Sequence, residues 1–276
     1  MSRKTARGSE FFEIPSGRVE IRWDGALATL YFNGIESSCT NVDDPTSLEF
    51  EYMQHATCAL DCVIDEAAPV RALHLGGAGC TLPLAWSYLR PKSKQTAVEI
   101  DPDLPDLVRR VFDLPKSPAL SIRIGDGREV MSSFRDSTFN VIVRDTFANG
   151  QVPAHLATLE CAKIAREKLK DGGLYILNCA HGGGSDARAE IAAISEVFGQ
   201  VMSIQDPKVG RSGRRGNVIV IGYVGADYPV EDLDRALRRL PLPARVTHGA
   251  NLTKWCAGTP ALRDADIGYK ETATAS

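Results

Sequence analysis

From Arg71 to Leu89 the chain reads R-A-L-H-L-G-G-A-G-C-T-L-P-L-A-W-S-Y-L, and this stretch decides the fold. Residues 72–75 form a short apolar run that suits a buried parallel strand. From Thr81 to Leu89 the apolar residues recur at helical spacing. The sequence therefore predicts a strand, a glycine turn and a helix in direct succession.

The glycine turn has the composition of a ligand-binding bend. Gly76, Gly77 and Gly79 allow a sharp turn and close backbone approach, and the turn delivers free N–H groups at a helix N-terminus. The next predicted strand ends at Glu99 and Asp101, about twenty residues later, where dinucleotide-type folds hold ribose hydroxyls with a carboxylate. An adenosine-type ligand is one interpretation, and glycines needed only for packing are the other.

The spacing argues against a phosphate ligand. No G-K-[ST] follows the turn, and the third glycine of G-x-G-x-x-G is missing. A nucleoside without phosphates, such as an S-adenosyl sulfonium compound, fits better.

Composition narrows the class of protein. The chain has 276 residues, 43% of them apolar, and a formal net charge of −3, which gives no global reason to expect nucleic-acid binding. The arginines at 211, 214 and 215 are interpreted as a solvated hairpin tip.

Cysteines and hydropathy exclude further classes. The seven cysteines form no C-x-x-C pair, so we expect reduced thiols and no metal site. No apolar run of membrane-spanning length and no apolar leader is present, and we expect a cytoplasmic protein without membrane contact.

The segment before residue 65 is predicted to be a small separate unit. Residues 1 to about 10 have the composition of a flexible tail, and Asp24-Gly25 and Asn33-Gly34 are hairpin signals of a small antiparallel sheet. Asp44-Pro45 is predicted to open a helix that runs to about Ile64. The predicted division is 1–64 for this β-segment and its linking helix, and 65–276 for the catalytic domain.

The remainder alternates between strand and helix. This order predicts an α/β fold whose mostly parallel sheet of seven strands is covered on both faces, with ligands at the carboxyl ends of the strands. An extended segment near 201–205 followed by a strand at 217–224 predicts an antiparallel hairpin, an arrangement common in Rossmann-like methyltransferase folds. After a helix at 230–240 we expect irregular structure and a polar tail. The other predicted strands lie near 71–75, 96–100, 120–124, 139–144 and 173–179, and the other predicted helices near 80–89, 103–112, 126–133, 155–170 and 186–199.

Two further aspartates fall at predicted strand ends. Asp126, between Gly125 and Gly127, suits two roles. Its carboxylate can accept a hydrogen bond from the exocyclic amine of adenine, and it can cap the N-terminus of a helix. Asp145 ends a strongly apolar strand, where partial desolvation raises a carboxyl pKa toward the range of a general base. It also suits a simple loop cap. Arg144 is expected on the opposite side of the pleat.

The histidines are weaker candidates. His74 and His155 are interpreted as structural residues, whereas His181 lies nearer the sheet rim and keeps a modest functional chance. Tyr52 and His55, on the helix before the domain, are expected near the pocket wall.

Five motifs together resemble the spermidine synthase family of polyamine aminopropyltransferases, over about residues 17–225. They are L-E-F-E-Y-M at 48–53, L-G-G-A-G-C-T-L at 75–82, V-E-I-D-P at 98–102, G-D-G-R at 125–128 and F-N-V-I-V-R-D at 139–145. The resemblance implies a Rossmann-like S-adenosylmethionine-dependent methyltransferase fold, decarboxylated S-adenosylmethionine as co-substrate, a small amine acceptor and a homo-oligomer, commonly a dimer.

The resemblance also implies roles for individual residues. Asp145 is the base that deprotonates the attacking amine, and Tyr52 lines the amine site. The nucleoside contacts are Gly76, Gly77, Ala78, Gly79, Glu99, Ile100, Asp126 and Gly127.

Three positions depart from the family pattern. Ala78 and Ala148 replace aspartates, and Met53 replaces a histidine. Because a polycationic amine needs several carboxylates to offset its desolvation, the amine half is altered while the nucleoside half is intact. Aminopropyl transfer is the first expectation; methyl transfer from intact S-adenosylmethionine to a small acceptor, or a non-catalytic binding protein of the same fold, are the alternatives.

Overall fold

The computed structural model describes residues 7–148, 150–206, 208–209 and 214–270, which form two sheets. The smaller has four antiparallel strands, and the larger has eight strands with helices on both faces. Of the predicted arginine tip, Arg211 lies outside the described residues, as do residues 1–6 of the predicted tail. The α/β fold class is confirmed.

The N-terminal sheet consists of β1 (Arg7–Ile14), β2 (Gly17–Asp24), β3 (Leu27–Phe32) and β4 (Ile35–Asn41) in sequential order. The Asn33-Gly34 hairpin forms as predicted, with Asn33 in the left-handed region at a φ of 50°. The prediction of a tail to residue 10 was wrong from Arg7 onward, because β1 pairs along its whole length with β2. Its side chains are mostly exposed, so the strand carries little apolar signal.

The linking helix is shorter than predicted. It is α1 (Glu51–Asp61), and it does not begin at Asp44. The Asp44 carboxylate instead accepts hydrogen bonds from the backbone N–H and the hydroxyl of Thr46, at 3.1 and 2.6 Å. Asp44 therefore makes a local turn, which competes with helix formation.

The larger sheet has the order β12-β10-β11-β9-β8-β5-β6-β7. The strands from β5 to β9 pair in parallel with their neighbours among them. The pairs β9-β11, β11-β10 and β10-β12 are antiparallel, and β10 with β11 forms the predicted hairpin. The strands are β5 (Arg71–Leu75), β6 (Lys94–Glu99), β7 (Leu120–Ile124), β8 (Phe139–Arg144), β9 (Leu169–His181), β10 (Gln200–Gln205), β11 (Gly216–Tyr223) and β12 (Val246–His248).

Helices pack on both faces of this sheet. A short 3-10 helix, Ala154–Leu156, precedes the fifth of them, and a second one covers Asp264–Ile267. The α-helices are α2 (Thr81–Leu89), α3 (Leu104–Phe112), α4 (Gly127–Ser132), α5 (Leu159–Lys168), α6 (Ala187–Ser195), α7 (Val230–Leu237) and α8 (Gly249–Cys256).

The region after residue 240 was predicted as irregular, and this was wrong. β12 adds an eighth, edge strand to the predicted seven, and α8 follows it directly. Three residues of strand are too short for a period-2 pattern to be recognised. The predicted helix at 155–170 also begins later, at Leu159, after the Thr158 hydroxyl caps it.

The two sheets share an apolar layer. Val19 and Ile21 of the N-terminal sheet join one buried cluster with Leu84 of α2 and Leu107 of α3. The division at residue 64 stays a prediction, because these residues pack together across it.

β5 lies at the topological switch point of the sheet, where α/β folds bind ligands; the edge formed there by the carboxyl ends of the parallel strands is called the crevice. β5 lies between β6 and β8, so the connections that leave β5 and β8 depart in opposite directions at the carboxyl ends of the strands. Arg90, which is 1% exposed, donates to the carbonyl oxygens of Asp65 and Ala68 at 2.6 and 3.1 Å and so fixes the loop from α1 to β5. Within the described ranges, no helix is long and apolar enough to cross a bilayer.

Candidate active site

The glycine turn after β5 lies directly against the end of β8. Gly76 has a φ of +94°, and a Cβ added there would collide with the carbonyl oxygen of Asp145. The backbone N–H of Asp145 in turn donates to the carbonyl oxygen of Leu75 at 2.8 Å. Glycine at 76 is therefore required for β5 and β8 to hold Asp145 beside the turn.

Glu99, the predicted ribose ligand, also holds the turn. Its Oε2 accepts from the backbone N–H groups of Gly77 and Ala78 at 3.2 and 2.9 Å, and its Oε1 accepts from that of Asp101 at 3.1 Å. A carboxylate offers about four acceptor sites, so three bonds leave capacity for a ligand hydroxyl.

Asp101, by contrast, is a structural residue. It is buried, its Oδ1 accepts from the backbone N–H groups of Asp103 and Leu104 at 2.8 and 3.2 Å, and the hydroxyl of Ser16 donates to its Oδ2. The structure thus separates the two carboxylates that the sequence places at one strand end.

Asp145, directly after β8, is held by two neutral donors. The phenol of Tyr52 donates to its Oδ2, and the amide of Asn178 donates to its Oδ1 at 2.9 Å. Burial raises the pKa of Asp145 above its ordinary value, while the bonds from Tyr52 and Asn178 act in the opposite direction. Burial and the nearby carboxylate raise the pKa of Tyr52, so the phenol remains a donor.

Asp126 forms the other end of the crevice. Its Oδ1 caps α4 by accepting from the backbone N–H groups of Arg128 and Glu129 at 2.8 and 3.1 Å, so the N-cap interpretation is confirmed. Its Oδ2 lies 2.7 Å from Nε2 of His155. Gly127 is close-packed, since an added Cβ would lie 3.5 Å from Leu75 and Leu156.

His155 therefore has a place that the sequence interpretation did not give it. It lies in the 3-10 helix Ala154–Leu156, contacts Asp126, and stacks on Tyr269 with ring centroids 5.5 Å apart and planes 9° apart. No spacing signal connects 155 and 269 to 126, because the three meet only through the folded C-terminal segment.

Apolar side chains are exposed at the same edge of the sheet. Ile100 is 71% exposed, Ile124 50% and Phe147 40%, and each follows or ends one of the strands β6, β7 and β8. Exposed apolar side chains at a sheet edge suit contact with a flat or apolar ligand, which makes the three candidates for such a contact. Ile100 was predicted to bind the nucleoside, and Ile124 and Phe147 were not singled out.

Two polar atoms beside Asp145 have no hydrogen-bond partner in the described part of the chain. They are the buried Oδ1 of Asn178 and Oγ1 of Thr146. Asn178 was missed by sequence reasoning, although one amide inside the apolar run L-Y-I-L-N-C was an available signal.

His74, His55 and His181 have other surroundings. His74 is buried, shares a 2.9 Å hydrogen bond with Gln95, and burial lowers its pKa to about 4, which suits the structural interpretation. Burial likewise lowers the pKa of His55 to about 4. His181 lies 3.5 Å from Asp186 and against Trp255.

The three positions that depart from the family pattern carry no charge. Met53 is buried in the layer under α1, and Ala148 is exposed and bridges to Gln151. Ala78 lies in the turn at a φ of 36°. Among the described residues, no group of three or more His, Cys, Asp or Glu side chains is placed to hold a metal ion.

Comparisons with known proteins identify the family. No protein-family model matches the chain. The structure is similar to that of a probable spermidine synthase from Corynebacterium glutamicum, with a TM-score of 0.84 and 30% identity over 98% of this chain and 99% of that one.

Two curated relatives give the same assignment from sequence. A polyamine aminopropyltransferase of Neisseria meningitidis is 27% identical over 74% of this chain and 75% of its own length. Another, of Vibrio vulnificus, is 26% identical over 59% of this chain, and the match spans only 54% of the Vibrio protein. The chain belongs to the spermidine synthase family, as a divergent member.

Proposed function

We propose that this protein is a transferase that moves an aminopropyl group from decarboxylated S-adenosylmethionine to an amine, with Asp145 as the base. One observation carries the proposal: a carboxylate with a raised pKa, held by Tyr52 and Asn178, lies against a glycine turn in a member of this family. The two curated relatives, from Neisseria and Vibrio, are named polyamine aminopropyltransferases.

The nucleoside half of the crevice supports an S-adenosyl donor. Glu99 keeps acceptor capacity for ribose hydroxyls, the exposed Ile100 offers an apolar surface for a purine, and Asp126 keeps one acceptor site for an exocyclic amine. In this proposal Gly76, Gly77, Ala78, Gly79 and Gly127 line the same site.

The chemical step needs a base close to the sulfonium. The acceptor enters as an ammonium and loses a proton to the Asp145 carboxylate. The freed nitrogen lone pair then forms a bond to the aminopropyl methylene carbon that is attached to sulfur. The bond between that carbon and sulfur breaks, and its electrons stay on sulfur. Methylthioadenosine leaves as a neutral thioether, the positive charge passes to the new secondary ammonium, and Asp145 releases its proton to solvent, so no further reactant is needed.

Asp145 is suited to this exchange because its two neutral partners use only two of about four acceptor sites. The other two remain available for an incoming ammonium, because Arg144, the nearby fixed cation, donates to Glu190 and forms no hydrogen bond with Asp145 in the described part of the chain. A raised pKa also makes proton acceptance easier than at an ordinary aspartate.

The methyl-transfer and binding-protein alternatives are not favoured. The relatives named above are aminopropyltransferases and a probable spermidine synthase. The proposal further includes a homodimer in the cytoplasm, which rests on family resemblance and is tested by light scattering and by fractionation of cells.

Titration calorimetry with three ligands tests the donor. Decarboxylated S-adenosylmethionine should bind more tightly than intact S-adenosylmethionine, and methylthioadenosine should bind as the product. Tighter binding of the intact compound would overturn the choice of donor. No binding of any of the three would overturn the proposed function.

A further inference from the structure

A second polar network lies around Asp126, away from Asp145, where the proposed function places the purine. It joins His155, Asp126, Arg128, Asp264 and Tyr269, and aminopropyl transfer as described above uses only Asp126 among these five. The network draws the C-terminal segment 262–269 to the edge of the parallel sheet.

Arg128 connects this segment to the start of α4. Its Nη1 and Nη2 donate to the two carboxylate oxygens of Asp264 at 2.7 and 2.6 Å, and its guanidinium lies 4.4 Å from the ring centre of Tyr269. Arg128 is 2% exposed, so the pair is shielded from water. A two-pronged contact of this kind fixes orientation as well as distance.

Two backbone contacts hold the same segment on α5. The N–H of Leu159 donates to the carbonyl oxygen of Leu262 at 2.8 Å, and the N–H of Asp264 donates to Glu160 at 2.9 Å. Tyr269 therefore reaches His155 from an anchored chain rather than from a free tail.

His155 controls the direction in which Asp126 can accept a further bond. Asp126 Oδ1 is committed to two backbone N–H groups, and Oδ2 already faces Nε2 of His155. Only about one acceptor site of the carboxylate remains. The stack on Tyr269 keeps the imidazole plane, and with it the remaining acceptor direction, in place.

We propose that His155 is a positioning residue for purine recognition, and that Tyr269 makes the C-terminal segment part of the nucleoside site. His155 and Tyr269 together orient Asp126 toward a 6-amino group. Because an ionised carboxylate only accepts hydrogen bonds, a 6-oxo purine in the same place meets repulsion. This inference rests on the proposed function, since it assumes a purine nucleoside in the crevice.

Titration with 5′-methylthioadenosine and 5′-methylthioinosine tests the inference on the full-length protein. His155→Ala should weaken binding of the adenosine compound by up to about tenfold, because the hydrogen bond from the 6-amino group to the charged Asp126 loses its alignment, and should reduce the preference over the inosine compound. The KM for decarboxylated S-adenosylmethionine should rise similarly, with kcat changed by less than about twofold.

Conservative variants separate positioning from folding. His155→Gln keeps a donor for Asp126 and should recover most of the preference, and Tyr269→Phe keeps the stacked ring and should behave as wild type, unlike Tyr269→Ala. Arg263→Ala is the matched control: this residue of the same segment pairs with Glu196 at 3.1 Å in an exposed position and should leave both dissociation constants unchanged.

Three results would overturn the inference. One is an unchanged preference in both His155→Ala and Tyr269→Ala. Another is that the alanine variants lose affinity for both compounds equally, and that they and the conservative variants His155→Gln and Tyr269→Phe all have a lowered melting temperature. The third is that the wild-type protein binds neither compound, which would also overturn the proposed nucleoside site. If the wild type binds and the variants have no effect, only the role of His155 and Tyr269 is overturned.

Discussion

Arg144 and Asp145 are neighbours in the chain, yet they lie on opposite faces of the central sheet. Arg144 is fully buried and donates to Glu190 on α6 at 2.5 Å. Asp145 faces α1 and meets two neutral donors, Tyr52 and Asn178. The alternation of the pleat, predicted from sequence, is confirmed here.

The difference lies in how each buried charge is compensated. A buried charge that has its own counter-ion is compensated within the protein, and removing one partner is costly. Asp145 has only neutral hydrogen-bond partners, and Arg144 acts on it through charge alone, so its carboxylate can still bind a cation that arrives from solvent. In the proposed function Arg144 stabilises the fold and Asp145 takes part in the reaction.

Asp145→Asn gives the largest expected effect on activity. If this carboxylate is the base, turnover should fall by about 10²–10⁴-fold, while the affinity for methylthioadenosine stays near that of wild type. The folded-state pKa is raised, so the ionised form is disfavoured by folding at neutral pH, and the free energy of unfolding should not decrease. Steady-state kinetics, titration calorimetry and denaturant titration measure the turnover, the affinity and the free energy of unfolding. Retained turnover would remove Asp145 from the mechanism.

Glu190→Gln should act on the other face, through stability. It leaves Arg144 as an unpaired buried cation, and the free energy of unfolding should drop by about 3–5 kcal/mol in denaturant titrations. Glu196→Gln is the control, because its pair with Arg263 is exposed and such pairs contribute about 0–1 kcal/mol. A Glu190→Gln protein of wild-type stability would contradict the assigned roles.

Tyr52→Phe should change the pH dependence. The Tyr52 bond favours the ionised form of Asp145 and lowers its pKa, so its loss should raise that pKa further. Since the base works when ionised, activity is lost as pH falls through this pKa, and the acid limb of the kcat profile should move to higher pH. Tyr88→Phe, at an exposed tyrosine, should leave the profile in place.

Ala148→Asp should have the smallest effect. It adds an exposed carboxylate in the loop that follows β8 and Asp145, and should lower the KM for a diamine by up to about fivefold, as expected for an exposed ion pair. The gain should shrink at high salt and be absent in Ala148→Asn. A gain of equal size in Ala148→Asn would show that charge is not the cause.

The elements that could be predicted from the sequence are those whose apolar residues follow a regular spacing. β5, the glycine turn, α2 and the strand that ends in Glu99 follow from apolar runs and helical spacing, and the contact of Asp145 with Tyr52 agrees with the place expected for both. β1 and β12 were missed, one because its side chains are mostly exposed and the other because it has three residues.

The missed site residues share a different cause. Asn178, Tyr269 and the contact between His155 and Asp126 depend on tertiary packing between segments distant in sequence. Neither a local propensity nor a spacing rule encodes such meetings. The role of each predicted ligand residue stays a prediction until a complex is measured.

Product analysis by mass spectrometry shows whether the protein transfers an aminopropyl group and whether Asp145 is needed for it. Wild-type protein and Asp145→Asn are incubated with decarboxylated S-adenosylmethionine and putrescine or a monoamine. With wild type, at least one amine should gain an aminopropyl group, with an equal amount of methylthioadenosine released, and the variant should yield neither product at a comparable rate. Equal product from the variant, or a methylated amine formed by wild type only when intact S-adenosylmethionine is supplied instead, would contradict this prediction.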